Sequence, residues 1–288
     1  MKVCLIANPV SGRGKAARWT HFLEKELKAR QHVVRLFFTT PNPQDLAQFT
    51  PDLAPDERVV VIGGDGTFNL VINHLHHPHP LIFLGLGTAN VLRVEYRQPN
   101  KPRQVIDFLE RGHLFPAPCG SINGSRKFAM MWSCGLDGAI LASIHQKSKN
   151  RFGKLAIALR GVACLLSYPF YQAEIETDSD NAKGEFMLVS CINHYGGPFR
   201  VFGPKQTDKP LKIMSARISS RWQMLLFFLN LFMGRAARRA QNAIWSADWA
   251  RIRCEQVPGQ VDGDAFSCAE LRIEPCPDPI FFLVLDKA

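Results

Sequence analysis

No C-x-x-C pair occurs among the eight cysteines of the chain. That argues against a zinc ribbon or a thioredoxin-like site. The cysteines are scattered through apolar contexts such as VCLIAN, VACLLSY and LVSCIN. They read as reduced, buried small hydrophobes and point to a cytoplasmic protein. A bilayer span needs about 20 apolar residues. The longest apolar run is WQMLLFFLNLFM, Trp222 to Met233, and Gln223 and Asn230 interrupt it. No signal peptide is expected, because the apolar stretch Val3 to Ala7 ends at once in NPVSGRG. The G-x-x-x-x-G-K-[ST] spacing of a P-loop is missing. A nucleic-acid motif is missing too, and the basic residues are dispersed rather than striped, so no nucleic-acid partner is expected.

What is present describes a folded protein with a substantial core: 288 residues, 46% hydrophobic and 21% charged. That length accommodates two ordinary domains. The 35 basic residues outnumber the 25 acidic ones, for a net +10, which suits phosphate nucleotides or an anionic lipid surface.

One pattern recurs in the first ninety residues: an apolar strand, a glycine-containing turn, then a helix. VCLIA leads into NPVSGRG, VVVI into GGDGT, and LIFL into GLGTAN; a further strand, HVVRLFF, precedes TTPNPQDLAQF. Strands alternating with helices imply a parallel sheet whose glycine turns open on one edge. The reading is an α/β nucleotide-binding domain over residues 1–118. Beyond it, alternating segments such as KFAMMWSCG, QAEIETD, EFMLVSCIN, ARIRCEQ and AELRIEP read as antiparallel strands of a mainly β domain, residues 119–278. Helices are expected over about Ile140 to Ser167 and Arg221 to Arg239. The last strand, within about 279–288, fits either domain.

VVVIGGDGTFN carries the most chemistry. Its apolar run suits a strand buried on both faces, and Gly63, Gly64 and Gly66 allow a tight turn and close approach by another molecule. Asp65 then projects from the carboxyl end of the strand, where open α/β sheets bind ligands. It suits a metal-bridged phosphate or a proton to be removed; an Asp there can also simply cap the following helix. In NPVSGRGKA, Asn8, Ser11, Gly12 and Gly14 form a loop fit to cradle an anion, with Ser11 as an ordinary helix cap the alternative. Thr88 and Asn90 in GLGTAN suit phosphate or ribose contact, and Thr40 stands at another carboxyl edge.

Together, NPVSGRGKA, GGDGTFN, GLGTAN and the late QVDGD occur in the order seen in the diacylglycerol kinase catalytic-domain family, which the chain resembles over nearly its whole length. CGLDGAI and NHYGGPFRVFGPK are similar to further segments of that family. GGDGT is shared with NAD kinases; the D-G-acid element favours the lipid kinases. The resemblance implies a first domain of NAD kinase/phosphofructokinase-like parallel-sheet topology and a β-sandwich second domain. It also implies transfer of the γ-phosphoryl group of ATP, with Mg²⁺, to a lipid hydroxyl. By motif, Asn8, Ser11, Gly12, Thr40, Gly63, Gly64, Asp65, Gly66, Thr67 and Thr88 line the nucleotide, with Asn90 beside them. Asp65 and Asp262 are the candidate catalytic carboxylates, and Asp65 also the Mg²⁺ contact through ATP. Replacing either acid by Asn is expected to lower turnover and leave the fold intact.

Three departures stand out. The usual D-G-E reads Asp262-Gly263-Asp264, and G-T-x-N-D ends in Val91. Asp208-Lys209-Pro210-Leu211 stands where some relatives carry a structural metal segment, which leaves Asp208 as the candidate ligand there. Trp222, Leu225, Leu226, Phe228, Leu229 and Phe232 suit the apolar face of a helix, followed by Arg235, Arg238 and Arg239. Such a helix either lies on an anionic membrane or packs on the second domain. His74, His76, His77 and His79 fall among prolines, so a solvated loop is expected rather than a metal site. A soluble NAD-kinase-like nucleotide kinase is the alternative activity; a homodimer and a peripheral place on the inner membrane face are both compatible with the sequence.

Overall fold

A computed structural model describes residues 1–143, 161, 163–203, 209–235, 242–267 and 269–286. The chain forms two compact units, Met1–Pro118 with Pro277–Ala288, and Cys119–Cys276.

The first unit strings together β1 (Lys2–Ala7), α1 (Lys15–Ala29), β2 (Val33–Phe38), α2 (Pro43–Phe49), β3 (Arg58–Gly63), α3 (Asp65–His74), β4 (Leu81–Gly85), α4 (Val91–Glu95), α5 (Pro102–Arg111) and β5 (His113–Ala117). The C-terminal strand β20 (Ile280–Val284) completes a sheet of order β2-β1-β3-β4-β20-β5. All neighbours run parallel except β20 and β5. The central strands are apolar throughout because both faces are covered. Val3, Leu5, Val60, Ile62, Ile82 and Leu84 pack under Leu23 and Leu27 of α1 and Val105 and Leu109 of α5. On another side Phe68 of α3 meets Phe83 and stacks on Phe282, with ring centroids 5.2 and 5.3 Å apart.

The second unit is a β-sandwich. One sheet, β10-β9-β16-β19-β6-β7, is built from β6 (Gly120–Ile122), β7 (Arg126–Phe128), β9 (Ala173–Thr177), β10 (Asn181–Gly184), β16 (Ala250–Arg253) and β19 (Glu270–Pro275). The other, β15-β14-β11-β8-β17-β18, comprises β8 (Met131–Cys134), β11 (Phe186–Ser190), β14 (Leu211–Ala216), β15 (Asn242–Ala247), β17 (Gly259–Val261) and β18 (Asp264–Phe266). A two-stranded ribbon, β12 (His194–Tyr195) and β13 (Phe199–Arg200), follows β11, and all the pairings of this unit are antiparallel. Inward positions, among them Ile175, Ile252 and Ile273 facing Trp132, Val189 and Ile213, form one core. The fold class is thus the one the sequence implies: a parallel α/β unit and a mainly β sandwich.

Three expectations change. KFAMMWSCG is two strands, β7 and β8, broken at Ala129 and Met130. The first helix of the second unit, α6 (Leu136–Ser143), begins four residues early, and 144–160 lie outside the described residues. The second, α7 (Arg221–Phe232), stops well short of Arg239. Gly234 takes φ +66, and the amides of Gly234 and Arg235 bond the carbonyls of Leu231 and Asn230, a left-handed glycine stop. Arg238 and Arg239 lie outside the described residues. No described helix is long and apolar enough to cross a membrane.

Candidate active site

β1, β3 and β4 are adjacent and parallel, so their three glycine turns leave the sheet on the same edge. The turns touch. Asn8 Nδ2 donates to Thr67 Oγ1 at 3.4 Å. A Cβ built on Gly12 would lie 3.3 Å from Leu86 Cβ, and one on Gly87 would lie 2.9 Å from the Gly64 Cα. Gly87 could not carry a side chain there without moving backbone, and a Cβ on Gly64 would press on the Gly87 Cα at 3.3 Å. Gly63 is equally constrained, since its Cβ would fall 2.5 Å from the inward-turned Thr67 hydroxyl.

Gly66 is different. It sits in the first turn of α3, and a Cβ there would meet nothing within 4 Å. Glycine in a helix costs roughly 0.5–1 kcal/mol relative to alanine. Nothing in the protein's own packing asks for that cost, so the open space beside Gly66 is the natural place for another molecule to approach the backbone.

The helices that start here lack side-chain caps. Gly14 at φ +80 precedes α1, and Gly64 precedes α3; neither offers a cap. The first amides of α1, Lys15 and Ala16, bond only loosely to the Gly12 and Ser11 carbonyls, at 3.4 and 3.3 Å. Ser11 is therefore not the cap of α1. By contrast α2 and α7 have side-chain caps, from Asn42 and Ser220. Glycine-capped helix starts with exposed backbone attract anions.

Asp65 does not cap its own helix either. Its carboxylate accepts from the Val91 and Leu92 amides, at 3.3 and 3.5 Å, tying the second glycine turn to the start of α4. Burial pushes its pKa up, opposed by backbone hydrogen bonds led by Val91. A carboxylate held with long hydrogen bonds and partly stripped of water is under tension that a cation would relieve. Among the described residues no group of three or more His, Cys, Asp or Glu is placed to hold a metal ion by itself. A Mg²⁺ shared with phosphates needs only one or two protein carboxylates, and Asp65 is the carboxylate at this edge that could supply one.

Two of the sequence-marked polar residues here are occupied with the turns themselves. Asn90, at φ 48, accepts from the Gly87 amide at 2.6 Å and donates to the Gly87 carbonyl at 2.8 Å. The Thr40 hydroxyl donates to Asp45 Oδ2 at 2.6 Å and accepts from the Asn42 amide at 3.1 Å, next to the cap of α2. Thr88 is exposed at the tip of its turn. The histidines do not gather: His79 is buried, not solvated, with Nδ1 3.1 Å from the Glu57 carbonyl, while His76 and His77 are exposed.

Asp262 belongs to the second unit. Asp262 and Gly263, at φ 49 and 87, form the two-residue turn of the β17–β18 hairpin, where Asp-Gly is favoured for its left-handed backbone. The buried carboxylate accepts from the amides of Ala129, Met130 and Met131 at 2.8, 3.0 and 2.9 Å. Those are the amides freed where β7 breaks from β8. The acid caps that break, so Asn at position 262 is expected to cost stability as well as turnover.

Sequence reasoning missed a polar chain beneath α6. Asp137 is buried and accepts from the Ser133 and Tyr195 hydroxyls and, at 2.8 Å, the Gly138 amide. Gln260 Nε2 donates to Ser133 Oγ at 2.6 Å, and its Oε1 accepts from Gly263 at 2.7 Å. The chain thus reaches the turn that carries Asp262. Burial pushes the Asp137 pKa up, against the hydroxyls' pull. The only local signal is an acid opening an apolar helix in CGLDGAI. Asp208 lies outside the described residues. Its neighbour Lys209 brings an ammonium to Asp178, Ser179 Oγ at 2.7 Å and Asp248 at 3.4 Å.

A parallel sheet with glycine turns at one edge, joined in sequence to a β-sandwich, is the architecture of known lipid and nucleotide kinases. The chain superposes on a diacylglycerol kinase of Bacillus anthracis with a TM-score of 0.69 at 16% identity, covering 99% of this chain and 97% of that one. For an NAD kinase of Archaeoglobus fulgidus in complex with ATP the TM-score is 0.55 at 15% identity, covering 98% and 93%. In sequence it is 25% identical to a diacylglycerol kinase of Mycobacterium tuberculosis, over 95% of this chain and 93% of the relative. Residues 2–122 match the diacylglycerol kinase catalytic domain. The likeness to the diacylglycerol kinase catalytic domain is thus carried by residues 2–122, which hold all three glycine turns.

Proposed function

We propose that this chain is an ATP-dependent lipid kinase that transfers the γ-phosphoryl group to the hydroxyl of a diacylglycerol-like lipid, working in the cytoplasm at an anionic membrane surface. The observation that carries the reading is the convergence of three glycine turns at one sheet edge, with open backbone at Gly66 and a desolvated Asp65 beside it. Phosphoryl transfer asks mainly for positioning and charge neutralisation. The backbone around Gly12, Gly64 and Gly66 would cradle the phosphates, with Asn8, Ser11 and Thr88 at its rim and Gly63 and Thr67 beneath. Asn90 and Thr40 would shape their turns. A bound Mg²⁺ would neutralise charge developing on the transferred group, and Asp65 would hold it. Either Asp65 or Asp262 would take the lipid hydroxyl's proton.

The test is incubation with γ-labelled ATP, Mg²⁺ and a total lipid extract. Label in the organic phase supports the proposal. Label on an aqueous nucleotide would instead favour an NAD-kinase-like activity, and no transfer would overturn both. A sharper check uses Gly66→Ala. The unliganded variant is expected to gain about 0.5–1 kcal/mol of stability, while the rise in melting temperature on adding Mg²⁺ and ATP shrinks or vanishes. An undiminished rise would show that nothing approaches Gly66.

A further inference from the structure

Helix α7 is apolar on two opposite sides. Met224, Phe227 and Leu231, at helical spacing, are buried on the second unit, and Phe227 lies 4.9 Å from the Phe186 ring. On the other side Trp222 is 68% exposed, Leu229 46% and Met233 54%, spaced at i, i+7 and i+11 on one face. Phe232 is also exposed at its margin, where it meets Phe199. A helix packed on a soluble domain normally turns charge outward at such positions. The two polar residues of α7 do not break the outer face, because their amides are used locally: Gln223 accepts from Ser219 and Asn230 donates to the Leu226 carbonyl, at 2.9 and 2.5 Å.

Charge identifies the occupant. From Phe186 to Ala247 the sequence has one acid, Asp208, against nine Lys and Arg. Exposed Arg221 and Arg235 stand at the two ends of the helix, and Arg200 lies by its C-terminus, where a Cβ on Gly234 would meet the Arg200 carbonyl at 3.1 Å. Glu185, just before that stretch, accepts from the Ile218 amide at 2.6 Å, at the approach to the helix. Tryptophan favours the membrane–water interface, and arginines beside an apolar face are drawn to anionic headgroups. We propose that the Trp222–Leu229–Met233 face of α7 docks on the surface of an anionic bilayer, the helix lying in the interface plane while its inner face stays packed on the sandwich. This deepens the lipid-kinase reading by naming the surface through which a membrane-resident acceptor would be met.

The test is flotation with vesicles of 30% phosphatidylglycerol in phosphatidylcholine and with pure phosphatidylcholine, alongside sedimentation of the free protein. The full chain is expected to float with the anionic vesicles, less so at high salt, and poorly with the neutral ones. Trp222→Ser with Leu229→Ser should lose at least about tenfold in vesicle affinity without a lower melting temperature, since both side chains are exposed. Arg221→Gln with Arg235→Gln should lose the preference for anionic vesicles. The Ser variant should phosphorylate a dispersed short-chain diacylglycerol at the wild-type rate and a vesicle-embedded one far more slowly. Unchanged flotation of the Ser variant overturns the docking surface, as does a wild-type dimer that this variant splits while flotation is unaffected, which would give the face to a second copy. If the wild type floats through α7 yet phosphorylates no lipid, the docking stands and the kinase reading falls.

Discussion

Asp65→Asn is expected to lower turnover by at least about 100-fold, the lower end of what a well-placed carboxylate contributes, while the unliganded protein melts no lower than wild type. The second half of that result follows from the environment of the group. Burial raises the Asp65 pKa, and its hydrogen bonds to Val91 and Leu92 are long. A carboxyl whose folded pKa lies above its unfolded value costs stability once the unfolded chain has given up its proton. That cost grows as pH rises from the ordinary carboxylate range to the raised folded pKa, then stays constant. Asparagine removes it. The stability advantage of the variant should therefore be absent in acid and grow as pH rises above the ordinary carboxylate range, read from melting temperatures across that interval. Near-normal turnover would remove Asp65 from the chemistry. A variant melting several degrees lower at neutral pH would make the acid a cap for α4 instead. Trading stability for function in this way is common at sites that bind charged ligands.

The same residue shows where the sequence stops being informative. The strands around it are readable because a strand buried on both faces leaves an uninterrupted apolar run, and the glycines after Ile62 and Leu84 mark the turns. That Gly63, Gly64 and Gly87 are glycines for the protein's own packing, and Gly66 is not, depends on which turns meet across the sheet edge. No local pattern contains it. The donors to the Asp65 carboxylate are amides 26 and 27 residues further along, so whether it caps its own helix could not be decided from GGDGT. The end of α7 was legible and was misread. The glycine in FMGRAARR is an ordinary helix stop, but the apolar run before it and the arginines after it suggested one continuous amphipathic element. The solvated-loop reading of NHLHHPHP failed at His79 because the Glu57 carbonyl that binds its ring lies 22 residues earlier.

Asp262 was legible as a motif but not as a structural part, and its replacement should show the difference. Asp262→Asn leaves the left-handed backbone undisturbed, since Asn adopts that conformation as readily as Asp. It does remove one acceptor oxygen from a buried cluster of three backbone donors, at 2.8, 3.0 and 2.9 Å, and turns an NH₂ group toward at least one of them. Leaving a buried donor unsatisfied costs about 1–3 kcal/mol, more where the lost partner was charged. The expected loss is on the order of 3 kcal/mol, which for a protein of this size is roughly 6–12 °C in melting temperature. The cluster joins Ala129–Met131 to a turn 131 to 133 residues later, so the damage should fall on the β8–β17 seam. Hydrogen exchange would show it as faster opening of Trp132 and Val261, with the first unit unaffected. Activity must then be read at low temperature, where the variant is fully folded. A residual loss of 100-fold or more under those conditions would identify Asp262 as the base. Activity that recovers in step with the folded fraction would make it scaffold alone and leave proton removal to Asp65. A variant melting within a degree or two of wild type would refute the capping role itself.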